Sequence, residues 1–359
     1  MAVVNLTTRA HIAVRGVSMD SADAPVRRTA GAGPSDDGHV RLAGTGAALP
    51  LVAGSPYTIR DGRLLFEGTD LGIDVEPVER PAFYDLQTAD GTSYEKLARL
   101  HSSNVLATTV VQTCVRYAED QRCRFCAIEQ SLANGSTTAV KTPAQLAEVA
   151  EAAVRLDGVT QMVMTTGTSN GRDRGARHLA RCTAAVHAAV PELAIQVQCE
   201  PPAPDDLGVI QELKDAGATA IGIHVESLDD AVRARWMPGK ASVPMEQYDA
   251  AWREAVRVFG HNRVSTYLLV GLGEDPDELV AGAARLIAMG VYPFVVPYRP
   301  LAGTLAQDVD GWPAPSPDLL ANVTRSVARH LTLAGMRGAD QGAGCAACGA
   351  CSALSAAGG

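Results

Sequence analysis

The chain lacks any excess of positive charge: 31 Lys and Arg stand against 40 Asp and Glu, a formal net charge of −9 at pH 7. It therefore offers no basic field to a phosphate backbone, and nucleic acid is disfavoured as its main partner. Long apolar runs are also missing. No stretch reaches the roughly 18 apolar residues of a membrane span, and residues 1–15 hold no apolar core with a cleavage site. The expectation is a cytoplasmic chain with no membrane partner. No internal repeat is evident. The remaining composition, 47% hydrophobic and 20% charged over 359 residues, is ordinary for a globular protein. That length exceeds one usual core, so a large α/β domain with appendages, acting on a small-molecule substrate, is expected.

Cysteine is not scarce. Six of the eight fall in two tight groups, and in a reducing compartment such clustering argues for metal rather than disulfides. Cys182 and Cys199 stand alone and read as buried small hydrophobes.

Three regions are expected. Residues 1–95 are rich in short extended segments and turns, and Asp61-Gly62 between Tyr57 and Phe66 reads as a tight hairpin. The preceding Gly31–Gly38 stretch has loop composition, either a connector or a lid over substrate. From 96 to 312, short apolar runs alternate with amphipathic stretches. Strands are expected at Val105–Gln112, Gln161–Thr165, Leu193–Cys199, Thr219–Val225, Val264–Val270 and Tyr292–Pro297. Helical patterns near Pro143–Leu156, Gly175–Ala189, Asp205–Ala216, Met245–Phe259 and Pro276–Met289 separate them. Such alternation specifies a parallel sheet with right-handed crossovers. The fold class is thus α/β, a partial (β/α)6 TIM-like barrel with functional groups at the carboxyl ends of its strands. Residues 313–359 supply a last helix around Pro315–Ala334 and a Cys-rich, Gly/Ala-rich tail.

Cys114, Cys123 and Cys126 follow the first barrel strand, with Phe125 immediately before the last thiol. The two-residue gap lets two thiolates reach neighbouring corners of one cubane while the third arrives from the start of the loop. An iron–sulfur cluster held by three thiolates keeps one iron free for a small molecule. Zinc also accepts Cys-x2-Cys spacing, yet it would want a fourth ligand that no nearby His or Cys supplies. In the tail, Cys345, Cys348 and Cys351 have the two-residue gaps of ferredoxin ligands. A second, auxiliary cluster is expected there, with zinc or unligated thiols as alternatives. Glycine and alanine add no bulk, so a flexible tail could wrap a cubane or close over the barrel mouth.

The first cysteine group resembles the radical S-adenosylmethionine (SAM) superfamily, whose Cys-x3-Cys-x2-Cys loop with an aromatic before the final cysteine chelates SAM on the fourth iron of a [4Fe–4S] cluster. Here the first gap is eight residues, so Val115 to Arg122 must form extra loop or a helical turn. Thr166-Gly167-Thr168, ending the second strand, resembles the Gly-Gly-Glu region that holds the SAM amino group, without its glutamate. His224-Val-Glu226 resembles a segment of biotin and lipoyl synthases that contacts the methionyl part and ribose of SAM. Alternation would put His224 and Glu226 on one strand face. Arg235, before Met237-Pro-Gly-Lys240, resembles the lipoyl synthase arginine and is expected at the SAM carboxylate. Val270-Gly271-Leu-Gly-Glu274 is similar to the adenine-approaching glycine segment of biotin synthases, and Tyr298 stands at the end of the sixth strand. The resemblance covers roughly residues 100–310, and narrows toward radical SAM proteins of bacterial nitrilase-containing gene clusters. It implies a flavodoxin or ferredoxin-type reductant, a 5′-deoxyadenosyl radical, and one of two kinds of chemistry at the tail cluster: sulfur insertion, or redox or substrate-anchoring work. Two rivals are weighed against it. His224-x-Glu226 with Cys345-x2-Cys348 fits a zinc deaminase but leaves the first cysteines unexplained, and a non-catalytic iron–sulfur carrier would not need SAM-like motifs on successive strands.

Overall fold

The computed structural model describes residues 4–19, 38–299, 301, 303–308 and 315–358. Residues 31–37 of the connector-or-lid stretch lie outside the described residues, as do Pro300 and Ala302 beyond the sixth barrel strand.

Five strands, β1 (Gly38–Leu42), β2 (Thr45–Leu49), β3 (Tyr57–Arg60), β4 (Arg63–Phe66) and β5 (Thr69–Pro77), form an antiparallel sheet in the order β2-β1-β5-β4-β3. The β3–β4 hairpin is the expected one. Arg60 pairs with Arg63, and Asp61 and Gly62 take φ of 51° and 69°, the left-handed geometry that matches strand twist.

A helix, Leu6–Arg15, precedes this sheet where the sequence pattern indicated only extended segments and turns. Its Asn5 side chain caps the Thr8 N–H at 2.9 Å. Ala10 and Ala13 join the core of the large domain while Ile12 joins that of the small sheet. Two cores share one short helix, so no single apolar stripe marks it.

The larger sheet has seven strands: β6 (Arg99–His101), β7 (Val105–Thr109), β8 (Gln161–Thr165), β9 (Ala194–Gln198), β10 (Ala220–Gly222), β11 (Val264–Val270) and β12 (Val291–Pro297). They lie in sequence order, β7 to β12 parallel and β6 antiparallel to β7. This curled half-barrel is the fold the alternating pattern specifies. Helices Pro143–Asp157, Ala176–Ala189, Val209–Asp215, Met245–Phe259 and Pro276–Met289 connect its strands. Local chemistry marks their ends: Thr142 and Gln145 form a capping box, Asp275 caps Pro276–Met289, and Gly158 and Gly290 end helices with left-handed φ.

The fourth barrel strand departs from simple alternation. Ile223 N–H donates to Ser265 O at 2.9 Å, but the next ladder bond to β11 runs from Glu226 N–H to Tyr267 O at 3.0 Å. Thr266 Oγ1 takes the intervening Val225 N–H at 3.0 Å. One extra residue is therefore accommodated as a bulge, and Glu226 has φ of 63°. His224 and Glu226 reach their partners through this bulge, not through a regular two-residue period.

Helix Pro317–Leu333 leads into the tail, where Met336, Ala346, Ala350, Ser352 and Leu354 are buried. The small residues there pack against protein, so the tail is a seated element, not the flexible one its composition indicates.

Candidate active site

Beyond β7 the chain is tied to the end of β8 before it reaches the first thiol. Gly167 N–H donates to Val111 O and Val115 N–H to Thr168 O, both at 2.8 Å. A Cβ on Gly167 would stand 2.1 Å from Thr113 O, so only glycine allows this approach. The extra residues form successive turns: Tyr117 N–H reaches Cys114 O at 3.0 Å, and Arg122 N–H reaches Ala118 O at 2.8 Å. Gln121 O then accepts from Gly239 N–H at 2.8 Å, docking the widened loop onto the Pro238–Ala241 turn.

The second half of the loop is anchored from the other side. Cys126 N–H donates to Cys123 O at 2.9 Å, a tight turn that brings the two thiols together. Arg124 is held at its N–H by Trp236 O, at its Nε by Arg235 O, each 2.8 Å, and at its carbonyl by Ala306 N–H at 2.7 Å. Phe125 and Cys123 pack on Val232, Trp236, Met237, Leu272 and Tyr298. Burial pushes the Cys126 thiol up to about 11, with the nearby Cys114 adding to it. Cys123 is raised further, burial again leading, with Lys240 pulling the other way and Cys126 adding. Cys123 and Cys126 thus share a desolvated place beyond the carboxyl end of the barrel, with Cys114 near Cys126.

Charged groups surround it. Lys240 donates to Glu226 in a buried ion pair, and Arg116 meets Glu200 at 3.3 Å with both side chains about a tenth exposed. Burial lowers the Lys240 ammonium's proton affinity, but Glu226, Tyr248 and Cys123 outweigh it and leave the pKa raised. Glu200 Oε2 and the Tyr298 hydroxyl are buried without hydrogen-bond partners.

Of the other expected residues, Thr168 is buried, and the Thr166 hydroxyl donates to Gly167 O at 2.9 Å. Gly271 has φ of 105°, and Glu274 accepts the N–H groups of Gly271 and Leu272 at 2.7 and 2.9 Å. Tyr298 lies 4.9 Å from Trp236, ring to ring. Arg235 is exposed and holds the cysteine loop through its carbonyl. His224 turns deeper into the barrel: its ring stacks on Tyr267 at 4.1 Å and 6°, and Nδ1 accepts the Tyr267 N–H at 3.2 Å. Burial, with Lys240 adding, pulls its pKa down to about 3.

Tyr267 links this interior to the tail. Its hydroxyl donates to Cys345 Sγ at 2.7 Å, and Gln198 Nε2 approaches the same sulfur at 3.7 Å. Cys345, Cys351 and Cys348 all raise the Tyr267 pKa, after burial as the largest cause. Cys345 therefore lies against β9 and β11, with Cys348 and Cys351 near enough for their charges to act on Tyr267. Cys182 and Cys199 are buried within the core of the large domain, as small hydrophobes.

Sequence reading missed Lys240 as Glu226's partner, the Arg116–Glu200 pair, and Tyr267 and Gln198 beneath the tail. Inward alternation on β9 and β11 was the available signal for the last two.

Parts of the chain are similar to known proteins. Residues 119–287 match the family model described as the radical SAM superfamily. The bacteriochlorophyllide c C-7(1)-hydroxylase of Chlorobaculum limnaeum is 30% identical over 127 residues, 35% of this chain and 31% of that protein. The chain thus matches under a third of that relative's length. Among solved structures, methylornithine synthase aligns with a TM-score of 0.48 at 14% identity, covering 77% of this chain and 78% of that one. Coproporphyrinogen III oxidase from Escherichia coli gives 0.45 at 16% identity, over 65% and 52% of the two chains. The FeFe-hydrogenase maturase from Carboxydothermus hydrogenoformans gives 0.48 at 16%, over 64% and 51%. The family match spans just under half of the chain. Cys114 lies outside the matched segment, five residues before its start.

Proposed function

We propose that this chain is a radical SAM enzyme whose Cys114, Cys123 and Cys126 hold a [4Fe–4S] cluster with one iron left for SAM. The observation that carries the reading is that Cys114, Cys123 and Cys126 lie on one loop beyond the carboxyl end of β7, with Cys126 near enough to both Cys114 and Cys123 for their charges to act on one another. The donor set fits the group. Thiolates are the ligands of such clusters, and a cationic core offsets the burial that otherwise keeps Cys123 and Cys126 protonated. Among the described residues no three His, Cys, Asp or Glu side chains form a group that could hold a single metal ion.

When bound, the cluster and SAM supply a 5′-deoxyadenosyl radical able to take hydrogen from an unactivated carbon. The chain's own part is positioning and exclusion of water. Phe125, packed on Trp236 and Tyr298, closes the apolar side of the loop. Thr166, Gly167 and Thr168 offer carbonyl and hydroxyl acceptors to an ammonium, Glu226 an acceptor to ribose hydroxyls, and Gly271 close backbone approach. Tyr298 has a buried hydroxyl with bonding capacity to spare. His224, kept neutral, faces the substrate side, and Arg235 is the carboxylate partner at the surface end. The substrate is a small molecule, and the electron comes from a flavodoxin or ferredoxin-type reductant.

Cys345, Cys348 and Cys351 hold the auxiliary cluster in this reading. Donors aimed at Cys345 sulfur fit a ligating thiolate. Because the tail is packed and its sulfur hydrogen-bonded, redox or substrate-anchoring work is favoured over sulfur insertion, which would need the cluster to give up a sulfide. The deciding experiment measures 5′-deoxyadenosine after anaerobic reconstitution and reduction in the presence of SAM. Protein that holds iron and forms none refutes the assignment.

A further inference from the structure

Arg9, on the N-terminal helix, is a buried charge that none of the chemistry above uses; it is 6% exposed. Its Nη2 donates to Gly46 O on β2 at 3.0 Å and to Ala350 O at 2.7 Å. Ala350 lies between Cys348 and Cys351, and its carbonyl also accepts the Ala48 N–H of β2 at 3.0 Å. The turn that spaces two tail thiols is therefore closed by donors from the helix and the small sheet. Ser352 fastens its far side, donating to Val295 O on β12 at 2.5 Å.

Electrostatics give the same picture from another direction. Burial is the largest influence on Arg9, bringing it down to about 10, and Cys351 and Cys348 oppose that fall as anions would. Arg299 stands close enough to act on Arg9 as a second cation, and its Nε is fixed to Ala13 O of the same helix at 3.1 Å. Two carbonyls satisfy hydrogen bonds but do not neutralise a guanidinium, and an uncompensated buried charge is costly. Three thiolates around a doubly positive [4Fe–4S] core carry a net negative charge, the missing counterpart.

We propose that the N-terminal helix is part of the tail's cluster site, with Arg9 both closing the Cys348–Cys351 turn and supplying positive charge beside an anionic, thiolate-held iron–sulfur group. This rests on the reading that the tail thiols hold such a cluster. Positive charge beside a cluster favours its more reduced, more negative state and so raises its potential. It follows that loss of the arginine's charge lowers the tail cluster's potential, and loss of its hydrogen bonds loosens the turn.

The test uses the full chain, reconstituted anaerobically with ferrous iron and sulfide, as wild type, Arg9→Lys, Arg9→Gln and Arg9→Ala. Iron per chain, midpoint potentials from a spectroscopic redox titration, and the rate of iron loss to a chelator are read. Wild type and Arg9→Lys should hold about eight irons with matching midpoints. Arg9→Gln, which retains a donor without the charge, should shift one midpoint to more negative values and leave the other in place. Arg9→Ala should in addition release about half of its iron faster. If Arg9→Ala fails to fold, the Arg9→Gln midpoint decides alone. Wild-type midpoints in Arg9→Gln would overturn the proposal. About four irons in the wild type would overturn the auxiliary cluster itself, an outcome visible without any Arg9 variant.

Discussion

The two cysteine triads share a Cys-x2-Cys step but differ in what surrounds them. The loop triad sits at the carboxyl end of the half-barrel, tied at its backbone to β8, to Trp236 and to Gly239, and ringed by the ion pairs Lys240–Glu226 and Arg116–Glu200. The tail triad lies against β9 and β11 through Cys345, where side chains reach its sulfur directly and the N-terminal helix and small sheet close its turn. Beside the first triad the Tyr298 hydroxyl is buried without a hydrogen-bond partner, while Glu200 is held by Arg116. The second is enclosed and fixed. On the proposed reading, the contrast separates a site open to SAM and substrate from one whose surroundings set its properties.

The largest effect should come from breaking the first triad. Cys114→Ala is expected to bring 5′-deoxyadenosine formation down to background, as Cys123→Ala and Cys126→Ala do, measured by chromatography after reduction. Cys114 precedes the family-matched segment, so retained activity in Cys114→Ala would show that another residue supplies the third ligand. Replacing Cys345, Cys348 and Cys351 together by Ala should remove about four of about eight irons while the SAM-dependent spectral change persists. Loss of that spectral change would mean that the two sites are not separable.

A smaller effect sharpens the role of the ion pairs. Glu226→Ala leaves Lys240 as an uncompensated buried charge and should cost about 3–5 kcal/mol in denaturant unfolding. Glu226→Gln combined with Lys240→Met should recover most of that stability and still bind SAM more weakly, by tens-fold in a titration. SAM affinity equal to wild type in the double variant would make the carboxylate purely structural.

The smallest effect concerns the residue between the triads. His224 is held neutral, with its pKa pulled to about 3 by burial first and Lys240 second, against 6.5 in the unfolded chain. Below pH 6.5 the unfolded state therefore takes up a proton that the folded state refuses. Stability present above that pH is lost as pH falls, by at most about 1.4 kcal/mol per unit from this group. In cluster-free protein, His224→Gln should flatten that part of the stability curve; parallel wild-type and variant curves would show that His224 does not control it.

Local patterning determined most of the barrel. Gln161–Thr165, Val264–Val270, Met245–Phe259 and Pro276–Met289 occupy the residues their periodicity indicates, because their apolar faces and caps are encoded within each segment. The tight turn from Cys123 to Cys126 is likewise local, since two intervening residues leave the chain few ways to run. The helix Leu6–Arg15 was not legible, because its buried residues serve two cores whose other halves lie elsewhere in the chain. Nor was the bulge at Val225, which depends on Thr266 of a neighbouring strand taking an N–H that the ladder leaves over.

Sequence alone thus determined the half-barrel and the close spacing within each cysteine group, both properties of short segments. Only the tertiary structure decided that Lys240 pairs with Glu226, that Tyr267 and Gln198 lie against Cys345, and that Arg9 reaches Ala350 across almost the whole chain. Those contacts join residues far apart in sequence, and they form because burial leaves charges and hydrogen-bonding groups no solvent to turn to.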